Sequence, residues 1–210
     1  MTAGENTIAV IDYGMGNLRS VLNALHEVRA VGKLVTDASA VNSYGKVILP
    51  GVGAFSQAIK NLHQSGMAEA LEHARKRNIP ILGICLGMQL MCKTSEEDGL
   101  HQGLGWIDAV VRRFPDRPGL KIPHIGWNDL KLQRRHYLVD GLPSHPDVYF
   151  VHSYRVECAD QNDILASCEY GEDFTAMFAR NNVMGIQFHP EKSQAIGLRI
   201  LKNFTEQGRC

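Results

Sequence analysis

Residues 79–90 read IPILGICLGMQL, and this stretch decides the fold. The run Ile79–Ile84 is short and apolar, which is typical of a buried strand in a parallel sheet. A helical pattern begins at Leu86 and continues to Lys93, so Cys85 falls where a strand meets a helix. Glycines stand two residues before and two residues after Cys85, where a side chain would keep neighbouring backbone away. The stretch predicts a tight strand-to-helix turn that lifts a nucleophile off the sheet.

Cys85 is therefore the candidate nucleophile. The helix that follows it would point its positive end at the thiol and favour the thiolate, which is the reactive form. The other cysteines lack such a turn, and we expect them to be structural or incidental: Cys92 (read as mid-helix), Cys158, Cys168 and Cys210. The five cysteines are odd in number and show no C-x-x-C spacing, so a disulfide framework or a zinc site is not expected.

Strand-like and helix-like segments alternate through the first half of the chain. This alternation predicts a mainly parallel sheet flanked by helices. The predicted strands are Thr7–Ile11, Lys33–Val35 and Lys46–Leu49, and the predicted helices are Asn17–Val31 and Ala54–Arg77, the second broken near Gly66.

The second half of the chain is poor in helical patterns. Residues 112–147 are rich in Pro, Gly, Arg and His and predict loops and a short hairpin. No linker divides the chain, so we predict one α/β domain over residues 1–210. The further predicted elements are the strands Trp106–Phe114, Tyr149–Val156, Ile164–Glu169, Phe174–Phe178 and Val183–Phe188 and the helix Gln194–Phe204.

Charge and hydropathy exclude several classes of partner. The 22 basic and 22 acidic residues cancel, whereas a nucleic-acid surface carries a basic excess, so we expect no nucleic acid partner. No apolar run approaches the roughly 20 residues that a membrane helix needs, so we expect no membrane span. Residues 1–14 lack the basic segment and apolar stretch of a signal peptide. Together with the unpaired cysteines, these features predict a soluble cytoplasmic protein.

A candidate base and its orienting acid follow the predicted strand Val183–Phe188. The next residues are His189-Pro190-Glu191, and the proline biases His189 toward extended geometry. Side chains two residues apart then point to the same side, so Glu191 would hold the imidazole of His189 against Cys85. A metal site formed by His189, Glu191 and His152 is an alternative that needs correct ligand distances and a vacant position for water.

Two glycine-rich turns follow predicted strands near the amino-terminal half. Residues 50–55 (PGVGAF) allow backbone N–H groups of Val52 or Gly53 to turn inward. With the N–H of Leu86, they would form an oxyanion hole in which one donor contributes about 3 kcal/mol in the transition state. Residues 14–19 (GMGNLR) begin like a dinucleotide-binding turn, but Arg19 occupies the third glycine position, so we expect no NAD site.

Three motifs in this order resemble the class I (triad) glutamine amidotransferases: PGVGAF at 50–55, GICLGMQL at 83–90 and GIQFHPEKS at 185–193. Three further stretches are similar to the glutaminase subunits of imidazole glycerol phosphate synthases: IDYGMGNLRSV at 11–21, PHIGWN at 123–128 and FVHSYR at 150–155. The resemblance covers nearly the whole chain.

The resemblance implies a flavodoxin-like amidotransferase fold, glutamine as substrate, and no cofactor or metal ion. It implies a heterodimer with a (β/α)8-barrel cyclase, which receives ammonia and forms imidazole glycerol phosphate and AICAR in histidine biosynthesis. Such a barrel needs about 250 residues, so we expect it to be a separate subunit.

The resemblance also assigns residues to roles. It places Gly51, Gln89, His152, Ser153 and Tyr154 in the glutamine pocket. It places Pro123, Trp127, Asn128, Tyr149 and Lys192 at the partner interface near the ammonia exit. Trp127 lies in a Gly/Pro-rich stretch, and tryptophan is enriched at interface hot spots.

Two alternatives remain at this point. The chain could serve another amidotransferase, such as an anthranilate-forming or GMP-forming type, although those would not be expected to carry DYGMGNLRS and PHIGWN. It could also be a catalytically silent regulatory subunit, against which the complete set of Cys85, His189 and Glu191 argues.

Overall fold

A computed structural model describes residues 7–206. The expectations for the first six residues and for Cys210 lie outside the described residues. Within them, the helices are α1 (Leu18–Glu27), α2 (Phe55–Gln64), α3 (Met67–Lys76), α4 (Leu86–Leu90) and α5 (Gln194–Glu206). The strands are β1 (Thr7–Ile11), β2 (Val31–Val35), β3 (Lys46–Gly51), β4 (Ile81–Cys85), β5 (Cys92–Ser95), β6 (His101–Gln102), β7 (Ile107–Arg113), β8 (His124–Asp129), β9 (Lys131–Leu132), β10 (Asp147–His152), β11 (Tyr154–Cys158), β12 (Ile164–Glu169), β13 (Asp173–Arg180) and β14 (Val183–Ile186).

One half of the main sheet is parallel. Its strands lie in the order β2-β1-β3-β4-β14, and each neighbouring pair runs in the same direction. Parallel strands end at a common edge, so the segments that follow β3, β4 and β14 meet in space. The predicted parallel sheet is confirmed, and it brings the oxyanion loop, the candidate nucleophile and the candidate base to one edge.

The other half is mostly antiparallel. From β14 the sheet continues through β13, β11, β7, β5 and β6, while β12 pairs with β13 and β9 pairs with β12. Among these described strands, β5 and β7 pair in parallel and the other pairs are antiparallel. The strands β8 and β10 form a separate antiparallel ribbon. The additional antiparallel strands predicted for the second half are therefore confirmed.

Helices cover both faces of the parallel half. In β1, Ile8 and Val10 pack in the same buried cluster as α1 and α5, whereas Ala9 and Ile11 pack with α2 and α3. Alternation of this kind follows from the two-residue period of a strand, and burial on both faces explains why β1 is apolar throughout. The predicted break near Gly66 is also confirmed, since this residue separates α2 from α3 with φ of 71°.

The predicted helix from Leu86 to Lys93 is wrong in its second half. The helix α4 ends at Leu90, and the chain turns at Met91 into the strand β5. Cys92 therefore begins a strand rather than lying mid-helix, and it pairs with Ile107 of β7. This pairing joins residues that are distant in sequence, which a local helical pattern cannot reveal.

The predicted strand Tyr149–Val156 is divided between two sheets. The strand β10 pairs with β8 up to His152, and β11 begins at Tyr154 in the main sheet. Ser153 lies at the change of direction, where its carbonyl accepts the Phe114 N–H at 3.1 Å. A single apolar run thus serves two sheets because its hydrogen-bond partners change along its length.

The region 112–147, predicted as loops and a short hairpin, contains more strand than expected. His124–Asp129 is a full strand, β8, and pairs across the ribbon with residues 147–152. Its partner lies beyond a long connection, so the pairing is not a local hairpin. Only the six-residue register against β10 makes this Gly- and Trp-containing segment extended.

Candidate active site

The turn at Cys85 has the geometry that the glycine pattern predicts. Cys85 has φ of 54° and ψ of −112°, a conformation that side-chain-bearing residues rarely adopt. A Cβ at Gly87 would lie 1.8 Å from the Leu49 carbonyl oxygen, and one at Gly83 would lie 2.7 Å from the Gly87 oxygen. These glycines therefore let β3, β4 and α4 approach closely enough to form the turn.

His189 and Glu191 form the predicted pair. The Nδ1–H of His189 donates to Glu191 Oε1 at 2.9 Å, and both side chains are almost completely buried. Burial disfavours charge on the imidazole, but its hydrogen bonds to Cys85 and Glu191 outweigh burial and raise the pKa of His189 to about 10. The arrangement favours an imidazolium at His189 at neutral pH, between the Cys85 sulfur and the Glu191 carboxylate.

The backbone of His189 is held as firmly as its side chain. Its N–H donates to the Tyr149 carbonyl at 3.0 Å, and its carbonyl accepts the Ser193 hydroxyl at 2.7 Å. The same Ser193 oxygen accepts the Tyr149 N–H at 3.0 Å. The base is thus tied to strand β10, whose opposite edge pairs with β8.

The predicted oxyanion loop follows β3 beside the nucleophile. Gly51 is in register with Cys85 across the β3–β4 pair, so the loop leaves the sheet next to the sulfur. Val52 and Gly53 line the pocket above Cys85, and Gly53 adopts φ of 100°. Leu86 is the first residue of α4, so its N–H has no acceptor within the helix. All three residues line the pocket that contains Cys85.

A cavity of about 310 Å³ opens over Cys85. Gln89, His152, Ser153 and Tyr154 all line it, so the structure brings together the side chains that the resemblance assigned to substrate binding. Gly51 is not among the lining residues and contributes through the position of the loop instead. Val151, Glu97 and Lys192 complete the wall.

Glu97 was missed in the sequence. Its carboxylate lines the pocket and accepts the Phe55 N–H at 2.8 Å. Burial raises its pKa, although the Phe55 hydrogen bond and His101 oppose the rise. Its neighbours read as a solvated acidic loop (EED), which gives no sign that the middle residue faces a pocket. It adds a carboxylate to the pocket wall.

The metal alternative receives no support from the geometry. His152 Nε2 accepts a hydrogen bond from His124 at 3.0 Å, so it is not directed at His189 and Glu191. Across the described residues, no three His, Cys, Asp or Glu side chains are arranged to hold a metal ion. Between residues 7 and 206, no helix is both long enough and apolar enough to cross a membrane.

Three of the residues predicted at a partner interface form one cluster. Trp127, 48% exposed, contacts the Tyr149 ring edge to face, with centroids 5.9 Å apart. Lys192 Nζ lies 5.9 Å from the centroid of the same Tyr149 ring. Pro123 is exposed just before β8, but Asn128 points away from this cluster and donates to the Glu169 carbonyl at 2.9 Å.

A buried cysteine on a strand-to-helix turn, a histidine–glutamate pair and a glycine-rich loop at one sheet edge define a class of hydrolase that acts through a thiolate. The chain belongs to the glutamine amidotransferase class-I family, whose pattern matches residues 9–207.

Within this family, the chain is similar to proteins named imidazole glycerol phosphate synthase subunit HisH. It is 47% identical over 204 residues to the one from Geobacter sulfurreducens, which covers 95% of this chain and 98% of the relative. It is 46% identical over 200 residues to subunit HisH 2 from Pseudomonas aeruginosa, with 95% and 98% coverage.

Solved structures support the fold independently of close sequence similarity. A protein from Thermoplasma acidophilum, described as a GMP synthase subunit, superposes with a TM-score of 0.72 at 22% identity, covering 95% of this chain and 92% of that one. A structure described as a glutamine amidotransferase gives the same TM-score at 18% identity, with 94% and 98% coverage. The amidotransferase fold predicted from the motifs is thereby confirmed.

Proposed function

We propose that this chain is the glutaminase subunit of an imidazole glycerol phosphate synthase. The observation that carries the proposal is the pocket over Cys85, in which a histidine–glutamate pair and a second carboxylate, Glu97, converge. The similarity to the HisH subunits of two bacteria over nearly the full length supports the choice within the family.

The reaction proceeds through a thioester. The thiolate of Cys85 attacks the side-chain carbonyl carbon of glutamine, and the carbonyl oxygen takes up negative charge. Backbone donors of Val52 or Gly53 and of Leu86 stabilise this oxygen. The C–N bond then breaks, His189 gives its proton to the leaving nitrogen, and ammonia departs.

Water completes the cycle. His189 removes a proton from water, which attacks the thioester carbonyl, and the C–S bond breaks to release glutamate and the Cys85 thiolate. Glu191 keeps His189 in the correct orientation through both halves, because its carboxylate accepts the Nδ1–H at 2.9 Å. Glu97 binds the α-ammonium group of glutamine and so selects a free amino acid.

The ammonia is used by a partner. The exposed ring of Trp127, with Tyr149 and Lys192, forms a surface next to the pocket that suits a second subunit. We place there a (β/α)8-barrel cyclase in a heterodimer, with ammonia passing from the pocket through a channel. The four cysteines of the described residues are free, which suits a reducing compartment such as the cytoplasm.

Glutamate release is the direct test. The chain is purified with the barrel cyclase, and glutamate is measured with and without the cyclase's ribonucleotide substrate. We expect the rate of glutamate release to rise when the partner and its substrate are present. In Cys85→Ala, we expect this rate to fall at least about 10⁴-fold while the complex still forms. Co-elution with an anthranilate or GMP synthase subunit instead would favour the other amidotransferases. Glutamate release by Cys85→Ala at the wild-type rate would refute the mechanism.

A further inference from the structure

Gln187 is a fully buried amide that the thioester mechanism does not use. It lies two residues before His189, just after β14, and its side chain reaches toward the turn at Cys85. Its Nε2 is 3.7 Å from Cys85 Sγ, within hydrogen-bond distance for sulfur. Its Oε1 accepts the Gln89 Nε2–H at 3.0 Å. The amide therefore connects the nucleophile to a residue of the substrate pocket.

The orientation of the Gln187 side-chain amide is fixed, through Gln89, by the backbone carbonyl of Tyr154. The Tyr154 carbonyl can only accept, and Gln89 Nε2 lies 3.1 Å from it, so the amino group of Gln89 must face that oxygen. The second N–H of the same Gln89 nitrogen then points at Gln187, which must present its oxygen. As a consequence, the amino group of Gln187 faces Cys85 and can only donate to the sulfur.

A further part of the network keeps the Tyr154 carbonyl in place. The Nδ1–H of His152 donates to that oxygen at 2.8 Å, which leaves His152 Nε2 to accept from His124 Nδ1 at 3.0 Å. Burial lowers the pKa of His152 to about 3 and that of His124 to about 4. Both rings are neutral at physiological pH, so the direction of every hydrogen bond from His124 to Cys85 is determined.

We propose that Gln187 is a further catalytic residue, whose side-chain N–H donates a hydrogen bond to the Cys85 thiolate and is held in that orientation by Gln89. The proposal rests on Cys85 being the nucleophile. A donor to a charged acceptor stabilises it more than a donor to a neutral one, and the more so in a buried site. Gln187 thus stabilises the sulfur both before attack and when it leaves the thioester.

Two hydrogen-bond donors also orient the sulfur. His189 and Gln187 both lie in the segment that follows β14, and both hydrogen-bond to the sulfur, while the cavity lies over it. The side of the sulfur without a donor is then available to the carbonyl carbon of a substrate. Gln89 acquires a second role, because it both lines the pocket and holds the amide of Gln187.

The test is the pH dependence of Cys85 alkylation by iodoacetamide in the full chain, followed by mass spectrometry of the peptide that contains Cys85. Gln187→Met keeps the length and burial of the side chain and removes the donor. We expect the midpoint of its pH–rate profile to rise by about one unit, so that alkylation at pH values below the wild-type midpoint slows about tenfold. The plateau at high pH should stay near that of the wild type.

The comparison isolates Gln187 because the titratable groups around the sulfur are the same in both proteins. They are Tyr13, whose pKa is raised by burial and by Cys85, and the pocket residues Glu97, His152, Tyr154, His189 and Lys192, with Glu191 behind His189. A matched control is Asn203→Leu, which also removes a buried amide donor, in α5 away from the pocket. It should lower thermal stability and leave the alkylation midpoint unchanged.

A second measurement does not need a substitution at Gln187. The side-chain ¹⁵N–¹H resonances of Gln187 should shift as Cys85 ionises, and the midpoint of this titration should equal the midpoint of the alkylation profile. The shift should be absent in Cys85→Ser. A folded Gln187→Met with the wild-type midpoint would overturn the proposal. If that variant does not fold, a Gln187 resonance whose chemical shift stays constant while Cys85 ionises would overturn the proposal as well. Failure of the proposed function is distinguishable, because it would appear as glutamate release without Cys85.

Discussion

The two halves of the sheet contribute different things to the site. The parallel half presents the oxyanion loop, Cys85 and His189 at the ends of β3, β4 and β14. The antiparallel half and the β8–β10 ribbon present the wall around His152 and the exposed Trp127. In the proposed mechanism, the parallel half therefore holds the groups that make and break bonds, while the other half shapes the pocket and offers a surface. Chemistry and assembly are then separable, and single substitutions can test this.

Gly87→Ala should show the largest effect, on the parallel half. The new Cβ would lie 1.8 Å from the Leu49 carbonyl, so β3 and α4 would have to separate. We expect a loss of about 4 kcal/mol or more of unfolding free energy, together with loss of glutamate release, measured by chemical denaturation and activity.

Gly119→Ala is the matched control for that substitution. Gly119 has φ of 85°, but no atom lies within 4 Å of its Cβ position, so only the backbone conformation is penalised. We expect the free energy of unfolding to fall by about 1 kcal/mol and glutamate release to be retained. Equal losses in the two variants would show that the close approach at the turn does not determine stability.

Trp127→Ala tests whether the ribbon carries the partner surface. Truncation of an interface tryptophan typically costs about 2 kcal/mol or more, so the dissociation constant for the barrel cyclase should rise at least about 30-fold. Leu34→Ala is the control, since Leu34 is 47% exposed and lies on the edge strand β2, away from the ribbon. Isothermal titration with both variants measures the effect, and unchanged affinity in Trp127→Ala would place the interface elsewhere.

Glu97→Gln tests a residue between the two regions. Loss of the carboxylate should weaken binding of the glutamine ammonium group and raise KM about tenfold, with a smaller change in kcat. The side chain keeps its length and an oxygen that can accept the Phe55 N–H, so the fold should be unaffected. Steady-state glutamate release measures both constants, and a fall in kcat with unchanged KM would contradict a binding role.

The last prediction concerns the buried histidines of the ribbon, and over a narrow pH range its expected effect is the smallest. Burial holds the pKa of His124 at about 4 and that of His152 at about 3, below the ordinary value of 6.5. As the pH falls through 6.5, the unfolded chain takes up protons first, so the native state loses stability between about pH 6.5 and pH 4. Each histidine contributes about 1.4 kcal/mol per pH unit in that window.

His124→Phe should remove one of these contributions. The ring stacks against Phe150 and Tyr170, so phenylalanine fits the same space. When the pH falls from 7 to 5.5, we expect the free energy of unfolding of the variant to fall by about 1 kcal/mol less than that of the wild type. Denaturation at both pH values measures this difference, and parallel losses would show that His124 titrates normally.

The residues of the triad were predictable because their signals are local. Glycines on both sides of Cys85, and a proline between His189 and Glu191, restrict the backbone wherever the chain folds. Glu97 and Gln187 were not predictable in the same way. Glu97 stands in an acidic stretch that suits solvent, and Gln187 acquires a role only because Cys85 at the end of β4 and Gln89 in α4 approach it.

The errors in the second half have a related cause. Antiparallel pairing at Tyr149–Val156 and at 124–129 depends on partners distant in sequence, and so does the strand that begins at Cys92. The segment Tyr149–Val156 was predicted as a strand, but its sequence does not tell which sheet a strand joins. The predicted loop at 112–147 failed for this reason, since β8 is extended only through its register with β10.

The local sequence predicts the turn at Cys85, the strands and helices of the parallel half, and the pairing of His189 with Glu191. These depend on the absence of a Cβ, on short-range periodicity and on the restriction that proline imposes. The change of sheets at Ser153, the place of Glu97 at the pocket and the hydrogen bond from Gln187 to the sulfur come from the tertiary fold alone. Each of these requires hydrogen-bond partners from separate elements of the fold, and burial gives such bonds their direction.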